Sequence, residues 1–423
     1  MILKNVNRTI LTALVVSIAS VAHAQQYSRQ DLEDQFLKNN YQLLAGKFNI
    51  SKADALIVQE RLWSNPNLSI AEVNLWSNRT AESFPALFGG NRGTHQQIAF
   101  ELEQLIETAG KRKKRVAIKG LEKNTAVFEY EELLRELKKD LRQTFNNLAR
   151  IKEEGLRLDS MLDLFEKLNE QYERQAEKQN IAKADFLRVQ TELMGLLKEK
   201  ADLEAERQDE LTQLRILTQL PSLDFNSLVF PKSDSNKSLA LPANLMDIAL
   251  TQNIGLKKQA NEVEMANKQL LLEKAQRTPD LTVQMSYDRG GNIMQDFVGL
   301  GLSMDLPVFN RNKGNIKAAQ FGVDQEKTLQ ASIQMELENT VLKLRNQLLQ
   351  YEKTLTRWNK QQSEEQQLIL ENYRKHLQSN QVTLLQFIDF TQAFREAQVA
   401  YLQVMENYLN TYEELQYIVG RDF

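Results

Sequence analysis

The sequence predicts a mainly α fold with a small β part, built as duplicated long α-helical hairpins with two strands ahead of each. Two proline-free runs are the first observation. Lys111 to Gln219 and Asn310 to Gly420 contain none of the seven prolines, which are Pro66, Pro85, Pro221, Pro231, Pro242, Pro279 and Pro307. Proline removes a backbone donor and clashes with the preceding turn, so its absence over such lengths permits very long helices. The second observation is periodicity. Leu337, Val341, Leu344, Leu348, Tyr351, Leu355 and Trp358 step by four and three, and Phe390, Phe394, Ala397, Tyr401, Val404, Tyr408, Thr411, Leu415 and Ile418 do the same. A stripe with a 3.5-residue period is the seam of a left-handed coiled coil. The third is an internal repeat. Adding 213 carries Leu32 to Leu245, Asp34 to Asp247, Leu37 to Leu250, Asn40 to Asn253, Ala53 to Ala266, Pro66 to Pro279 and Leu68 to Leu281. From the second strand the shift is 200, carrying Phe100 to Leu300, Leu102 to Leu302, Val116 to Ile316, Leu137 to Leu337 and Leu148 to Leu348. Past the hairpin turn it is 201, carrying Tyr172 to Tyr373, Phe186 to Phe387 and Leu214 to Leu415. This period is far longer than that of solenoid repeats.

The elements follow in order. Lys4 and Arg8 precede an apolar core from Ile10 to Val21 that ends in Ala22-His23-Ala24, the pattern of a cleaved export signal. Residues 1–24 are therefore expected to be a signal peptide, 25–220 the first repeat, 221–243 an equatorial linker and 244–423 the second repeat. Ser28 or Asp31 can cap a helix running to about Ser64, with Leu32, Phe36, Leu43, Ala53, Leu56 and Leu62 on its apolar side. Asn65-Pro66-Asn67 stops it. A strand is expected over Leu68–Asn78, a loop over Ser83–Gly93 and a second strand from His95 to about Glu107. The long helix starts near Lys111, turns near Gln179 and returns to Gln219. At 1.5 Å per residue its inbound arm spans about 100 Å, against roughly 50 and 55 Å for the first and outgoing helices, so the two shorter ones stacked end to end match it. Pro221 to Pro242 reads as a polar linker with short strands around Leu228–Phe230 and Leu239–Leu241.

Composition narrows the function classes. Charged residues make up 26% and hydrophobic ones 42%, with a formal charge of -3, which suits helices wetted on one side and gives no sign of a nucleic-acid partner. There is no cysteine, and the histidines are His23, His95 and His376, so no thiolate or imidazole ligand set exists and neither metal site nor cofactor is expected. The dispersed methionines read as packing, and Gly299 and Gly301 lack the following helix a nucleotide loop requires. No stretch after the leader is apolar enough to span a bilayer as a helix, leaving β-strands for any membrane passage. Leu281, Val283, Met285 and Tyr287 alternate with Thr282, Gln284, Ser286 and Asp288. After Gly290-Gly291-Asn292, Val298, Leu300, Leu302 and Met304 alternate with Gly299, Gly301, Ser303 and Asp305. Such alternation fits a lipid-spanning strand, or a soluble sheet over a core. Four strands cannot close a barrel, whereas a homotrimer sharing twelve closes and leaves no edge.

With these residues in view, the sequence resembles the outer membrane efflux channels of the TolC family over essentially the whole mature chain. The segments Asn180-Ile181-Ala182-Lys183-Ala184-Asp185-Phe186-Leu187 and Gln381-Val382-Thr383-Leu384-Leu385-Gln386-Phe387-Ile388-Asp389 resemble the family's turn pattern. The run from Glu103 to Arg112 is similar to a junction of its heavy-metal (CzcC-like) branch, with Leu306-Pro307-Val308-Phe309 as counterpart. The resemblance implies a homotrimer with a twelve-strand outer-membrane β-barrel set in lipid and a periplasmic α-barrel. It implies a periplasmic adaptor at the tips (Gln179, Asn180, Ile181; Asn380, Gln381, Val382) and an inner-membrane pump of the RND type. Asp185, Asp389 and Gln386 become candidates for a gate at the periplasmic mouth, where ringed like charges repel one another and attract cations. The sequence departs from the family in having Gln179 and Asn380 where the turn glycine stands, and Leu377 and Val382 where the archetype has a tyrosine and an arginine latch.

The run Lys111-Arg112-Lys113-Lys114-Arg115 is either a solvated charge run or a contact to inner-leaflet phosphates, partly repeated by Arg311 and Lys313. Glu101 and Glu103 read as pore lining. The favoured function is a passive exit duct for metal cations, not an enzyme. The alternatives are a multidrug or small-molecule duct, a periplasmic coiled-coil adaptor or scaffold, and a secreted hydrolase for which no catalytic constellation is visible.

Overall fold

A computed structural model describes residues 26–74, 97–231, 240–290, 294, 296–358, 360–379 and 381–423. The expected signal peptide, the Ser83–Gly93 loop, His95 and Asn380 lie outside these residues. The elements come twice in one order. The first set is α1 (Arg29–Asn39), α2 (Tyr41–Arg61), β1 (Asn67–Asn74), β2 (Gln97–Ile106), α3 (Lys111–Glu177) and α4 (Lys183–Thr218). The second is α5 (Leu245–Gln252), α6 (Ile254–Ala275), β3 (Leu281–Asp288), β4 (Phe297–Met304), α7 (Lys313–Arg357), α8 (Lys360–Gln378) and α9 (Leu384–Val419). The chain clusters into two compact units. One holds the described residues up to Leu44 with Glu132–Asn253 and Glu336–Phe423, the other Ala45–Glu131 with Ile254–Met335. Among the described residues no helix is long and apolar enough to cross a membrane.

In the first unit α1 packs on α4 and α5 packs on α9, the same relation in each half. The predicted seam is the core here. Leu337, Val341, Leu344, Leu348 and Leu355 are all buried, as are Phe394, Tyr408 and Leu415, and Trp358 stacks on Tyr401 at 5.6 Å. Ser28 is the N-cap of α1, in a reciprocal capping box with Asp31. The single helix expected from there to Ser64 is in fact two. Asn40 turns extended at φ -64 and ψ 121. Its side chain donates to the Leu217 carbonyl at 3.0 Å and accepts from the amides of Gln42 and Leu43. Asn253, its counterpart in the repeat, separates α5 from α6 and donates to the Ile418 carbonyl at 2.8 Å. Leu217 and Ile418 sit in the last turns of α4 and α9, whose carbonyls have no intrahelical donor. One asparagine thus ends the short helix and closes the outgoing one. Beyond the break the apolar side also differs from expectation, since Ile57 is buried while Leu56 and Leu62 are exposed.

The outgoing helices close on left-handed residues, Gln219 at φ 58 and Gly420 at φ 79. A side chain at Gly420 would bring its Cβ to 2.4 Å from the Gln252 carbonyl oxygen, so the second position requires glycine. The expected polar linker is partly core. Leu223 and Leu228 are buried, Phe230 packs on Phe145 at 4.9 Å, and in place of a strand at Leu228–Phe230 there is a short 3-10 turn and one parallel bridge from Leu228 to Tyr27. An ionic cluster around a half-buried guanidinium ties the helices. The Arg142 guanidinium meets Glu33 at 2.8 Å, Glu413 at 2.9 Å and Asp422 at 3.3 Å. Burial pushes the Glu413 carboxyl up, opposed by Arg142. Burial also acts on Asp422, but Lys138 and Arg142 outweigh it and hold that carboxyl below the ordinary range.

The second unit carries a four-stranded antiparallel sheet in the order β1-β2-β3-β4. Its register places Leu68 and Ile70 beside Leu102 and Phe100, then Met285 and Tyr287, then Leu300 and Val298 on one face. Glu101, Glu103, Ser286, Gln284, Gly299 and Gly301 share the other. The apolar face is bare in the chain by itself, with Leu300 83% and Leu302 71% exposed. On the polar face Gln284 donates to Glu103 at 2.7 Å. A Cβ at Gly299 would come within 2.7 Å of the Ser286 hydroxyl, so the glycine makes room for its neighbour's side chain.

The asparagine closures yield a testable expectation. Asn40→Leu and Asn253→Leu each leave a carbonyl of the outgoing helix without its donor, which costs about 1–3 kcal/mol. Both variants are expected to lower the unfolding midpoint, read by circular dichroism in denaturant. An unchanged midpoint in both shows that the side-chain closures contribute nothing.

Candidate functional site

The two hairpin tips share one closing bond at the repeat offset. After α3, Gln179 takes φ 61, its amide donates to the Ala176 carbonyl at 3.0 Å, and the Asn180 amide reaches back to the Gln175 carbonyl at 2.9 Å. This pair of bonds is a Schellman closure. Gln179 occupies the left-handed position normally given to glycine, so the departure from the family pattern keeps the turn. At the second tip the Gln381 amide donates to the His376 carbonyl at 2.8 Å. Asn380, in the position equivalent to Gln179, lies outside the described residues. Side chains cross the turns at matching offsets, with Asn180 donating to Gln175 at 2.8 Å and His376 Nδ1 meeting Gln381 Oε1. Ile181 and Val382 are half-buried, and Leu377 is buried.

The helices leaving the tips start differently. Ala182 caps α4 with no side-chain bond, while Thr383 caps α9 in a capping box with Gln386. The Thr383 amide donates to Gln386 Oε1 at 3.0 Å and the Gln386 amide to Thr383 Oγ1 at 3.3 Å. Gln386 is therefore held as a cap. Asp185 is the third residue of α4, as Gln386 is of α9, and Asp389 comes one turn later. The two aspartates are not equivalent, and Asp389 matches Arg188 under the shift of 201. Along a helix axis that offset is about 4.5 Å. Asp185 accepts from Arg188 Nη1 at 3.1 Å, and its charge together with burial raises the Tyr172 hydroxyl pKa, burial contributing more. Asp389 is exposed and has no side-chain partner among the described residues. Beneath it Tyr373 stacks on Phe390 at 4.3 Å and Phe165 packs against the fully buried Phe387 at 6.2 Å, giving that start of α9 a rigid base.

Sequence reasoning missed Arg188, although the repeat offset aligns it with Asp389. It also missed Arg395, which bridges Glu192 at 3.2 Å and Glu199 at 3.3 Å and ties α4 to α9 above the tips. Among the described residues no group of three or more His, Cys, Asp or Glu could hold a metal ion.

The unequal caps predict unequal sensitivity. Thr383→Ala removes the cap of α9 at a cost of about 0.5–2 kcal/mol, and is expected to speed proteolysis of the second tip, whereas Ala182→Ser is expected to slow it at the first. Equal cleavage rates in parent and variants, followed by mass spectrometry of the fragments, contradict the capping account.

Residues 245–421 match the family model described as outer membrane efflux protein. One curated relative, the cobalt-zinc-cadmium resistance protein CzcC of Cupriavidus metallidurans, is 29% identical over 91 residues, a match that spans 21% of this chain and 22% of that protein. Among solved structures, CusC superposes with a TM-score of 0.75 at 16% identity, covering 93% of this chain and 92% of CusC. The Campylobacter jejuni outer membrane channel CmeC superposes with a TM-score of 0.73 at 16% identity, over 93% of this chain and 85% of that one. The Neisseria gonorrhoeae outer membrane channel MtrE, solved in its open state, gives 0.73 at 15% identity, over 93% and 89%. The second half of the chain thus matches the outer membrane efflux protein family, and its fold is that of outer membrane channels along nearly its whole length.

Proposed function

We propose that this efflux duct is the exit channel for metal cations in a tripartite assembly, working as a homotrimer. Three copies of the four-stranded sheet close a twelve-strand barrel in lipid, the bare apolar face outward. The hairpin tips around Gln179–Ile181 and Gln381–Val382 meet a periplasmic adaptor, which couples the duct to an inner-membrane pump of the RND type. The observation that carries the cation reading is the 91-residue similarity to a cobalt-zinc-cadmium resistance protein. The chain's part is passive, for its family and fold are those of channels.

Within this reading Asp389 is the main gate charge. In a trimer it forms a ring of three carboxylates, each with no base partner among the described residues of its own chain, while each Asp185 carries its own Arg188 at 3.1 Å. Ringed carboxylates in a narrow, low-dielectric mouth repel one another and concentrate cations. Gln386 holds the helix that presents Asp389.

A deletion strain grown across zinc, cobalt, nickel, copper, dyes and detergents tests the substrate class. Sensitivity confined to metals is expected; sensitivity to dyes and detergents with normal metal tolerance identifies a multidrug duct and overturns the cation reading. For the gate, Asp389→Ala is expected to raise single-channel conductance in planar bilayers and antibiotic leakage in cells, with Asp185→Ala the weaker of the two. Conductance identical to the parent's removes Asp389 from the gate.

A further inference from the structure

The duplication supplies an internal control at the two places where a strand becomes a long helix. Under the shift of 200, Thr108, Ala109 and Gly110 correspond to Val308, Phe309 and Asn310, and Lys111 and Lys113 to Arg311 and Lys313. The two junctions, both in the second unit, have opposite surfaces.

The first junction consumes its charges. Lys111 is buried and its ammonium meets Asp280 at 2.8 Å. The Thr108 amide donates to the same carboxylate at 2.8 Å, which fixes the left-handed pair Ala109 and Gly110. The Arg112 guanidinium lies over the Trp63 ring at 3.8 Å, Lys114 donates to the Ala109 carbonyl at 2.5 Å, and Arg115 bridges Glu60 at 2.5 Å and Glu107 at 2.7 Å. Of the five bases only Lys113 has no partner among the described residues. The run, open on sequence between a solvated charge run and a contact to lipid phosphates, is instead a lock that holds strand to helix.

The second junction leaves its groups open. The apolar alternation of β4 does not stop at Met304 but continues through Leu306 and Val308, both exposed, to Phe309, whose side chain is 101% exposed. Asn312 makes the turn, with φ 55 and bonds to Glu273, so the loop needs neither Arg311 nor Lys313. Both are exposed and have no carboxylate partner among the described residues. An exposed aromatic next to a continuous apolar row, followed within four residues by two unmatched cations, matches the chemistry of a bilayer's headgroup boundary.

We infer that the loop from Leu306 to Lys313 is the chain's anchor in the inner leaflet of the membrane that the barrel crosses. Phe309 and Val308 lie at the acyl boundary, and Arg311 and Lys313 meet lipid phosphates. The inference rests on the reading of the bare sheet face as lipid-facing. It commits to a phospholipid surface as the occupant, because the loop's apolar row is continuous with that face and its charge is purely basic.

The absence of cysteine makes the test direct. Phe309→Cys and Leu300→Cys, each labelled with a bimane, are reconstituted as full chains into phosphatidylethanolamine and phosphatidylglycerol vesicles containing brominated lipid. Loss of most of the fluorescence at both positions is expected, with position 309 quenched best by lipid brominated near the headgroup. Quenching at position 300 alongside iodide access at 309 overturns the anchor but leaves the barrel reading standing. Protection of position 309 from both quenchers also overturns it, and shows that a second copy covers the loop. No lipid quenching at either position removes the barrel reading together with the anchor. In the phosphatidylglycerol vesicles, Arg311→Gln with Lys313→Gln is expected to weaken lipid quenching at 309 without changing it at 300.

Discussion

Every interruption of a helix exposes amides or carbonyls that the helix itself cannot pair, and this chain depends on closing them. Its long hairpins are possible because the closures are few. Asn40 and Asn253 end the short helices and serve the outgoing ones through the Leu217 and Ile418 carbonyls. Gln219 and Gly420 turn left-handed one residue after those helices end. At the tips the Asn180 and Gln381 amides return to the carbonyls of Gln175 and His376. Each pair sits at one repeat offset, so the duplicated pattern is as much a pattern of closures as of apolar positions.

Between the closures, packing is carried by the seam and by arginine-centred clusters. Arg142 gathers Glu33, Glu413 and Asp422, and Arg150 gathers Glu154, Glu206 and Glu406. A half-buried guanidinium with several carboxylates cannot be replaced without leaving unpaired charge, so such clusters favour one register of helix against helix over its neighbours. The seam alone does not, because a coiled-coil stripe can slide by a heptad at modest cost.

The two halves share architecture and divide the chemistry. One junction is locked by Lys111 and Asp280 and the other is open at Phe309. One outgoing helix begins on Ala182 without a cap, the other on Thr383 with a full box. At the tips the acid of the first hairpin is matched by Arg188, whereas that of the second has no side-chain partner among the described residues. A duplicated chain can specialise in this way because the closures hold each copy's backbone while exposed side chains vary.

The sequence by itself determined the fold class, the order of elements, the seam from Leu337 to Leu355, the apolar alternation of β3 and β4 and the approximate tip positions. These follow from periodicity and from proline, which act over short stretches of chain and need no partner to be read. Only the tertiary structure decided where helices break and which charges are free. The break at Asn40 is made by a carbonyl of Leu217, far away in sequence. The basic run at Lys111, open on sequence between a solvated run and a phosphate contact, became a lock because Asp280, Trp63, Glu60 and Glu107 converge on it. Gln386 proved a cap, because capping geometry fixes where a helix begins. Local patterns set what each segment becomes, and long-range pairing sets which of its groups remain available to act.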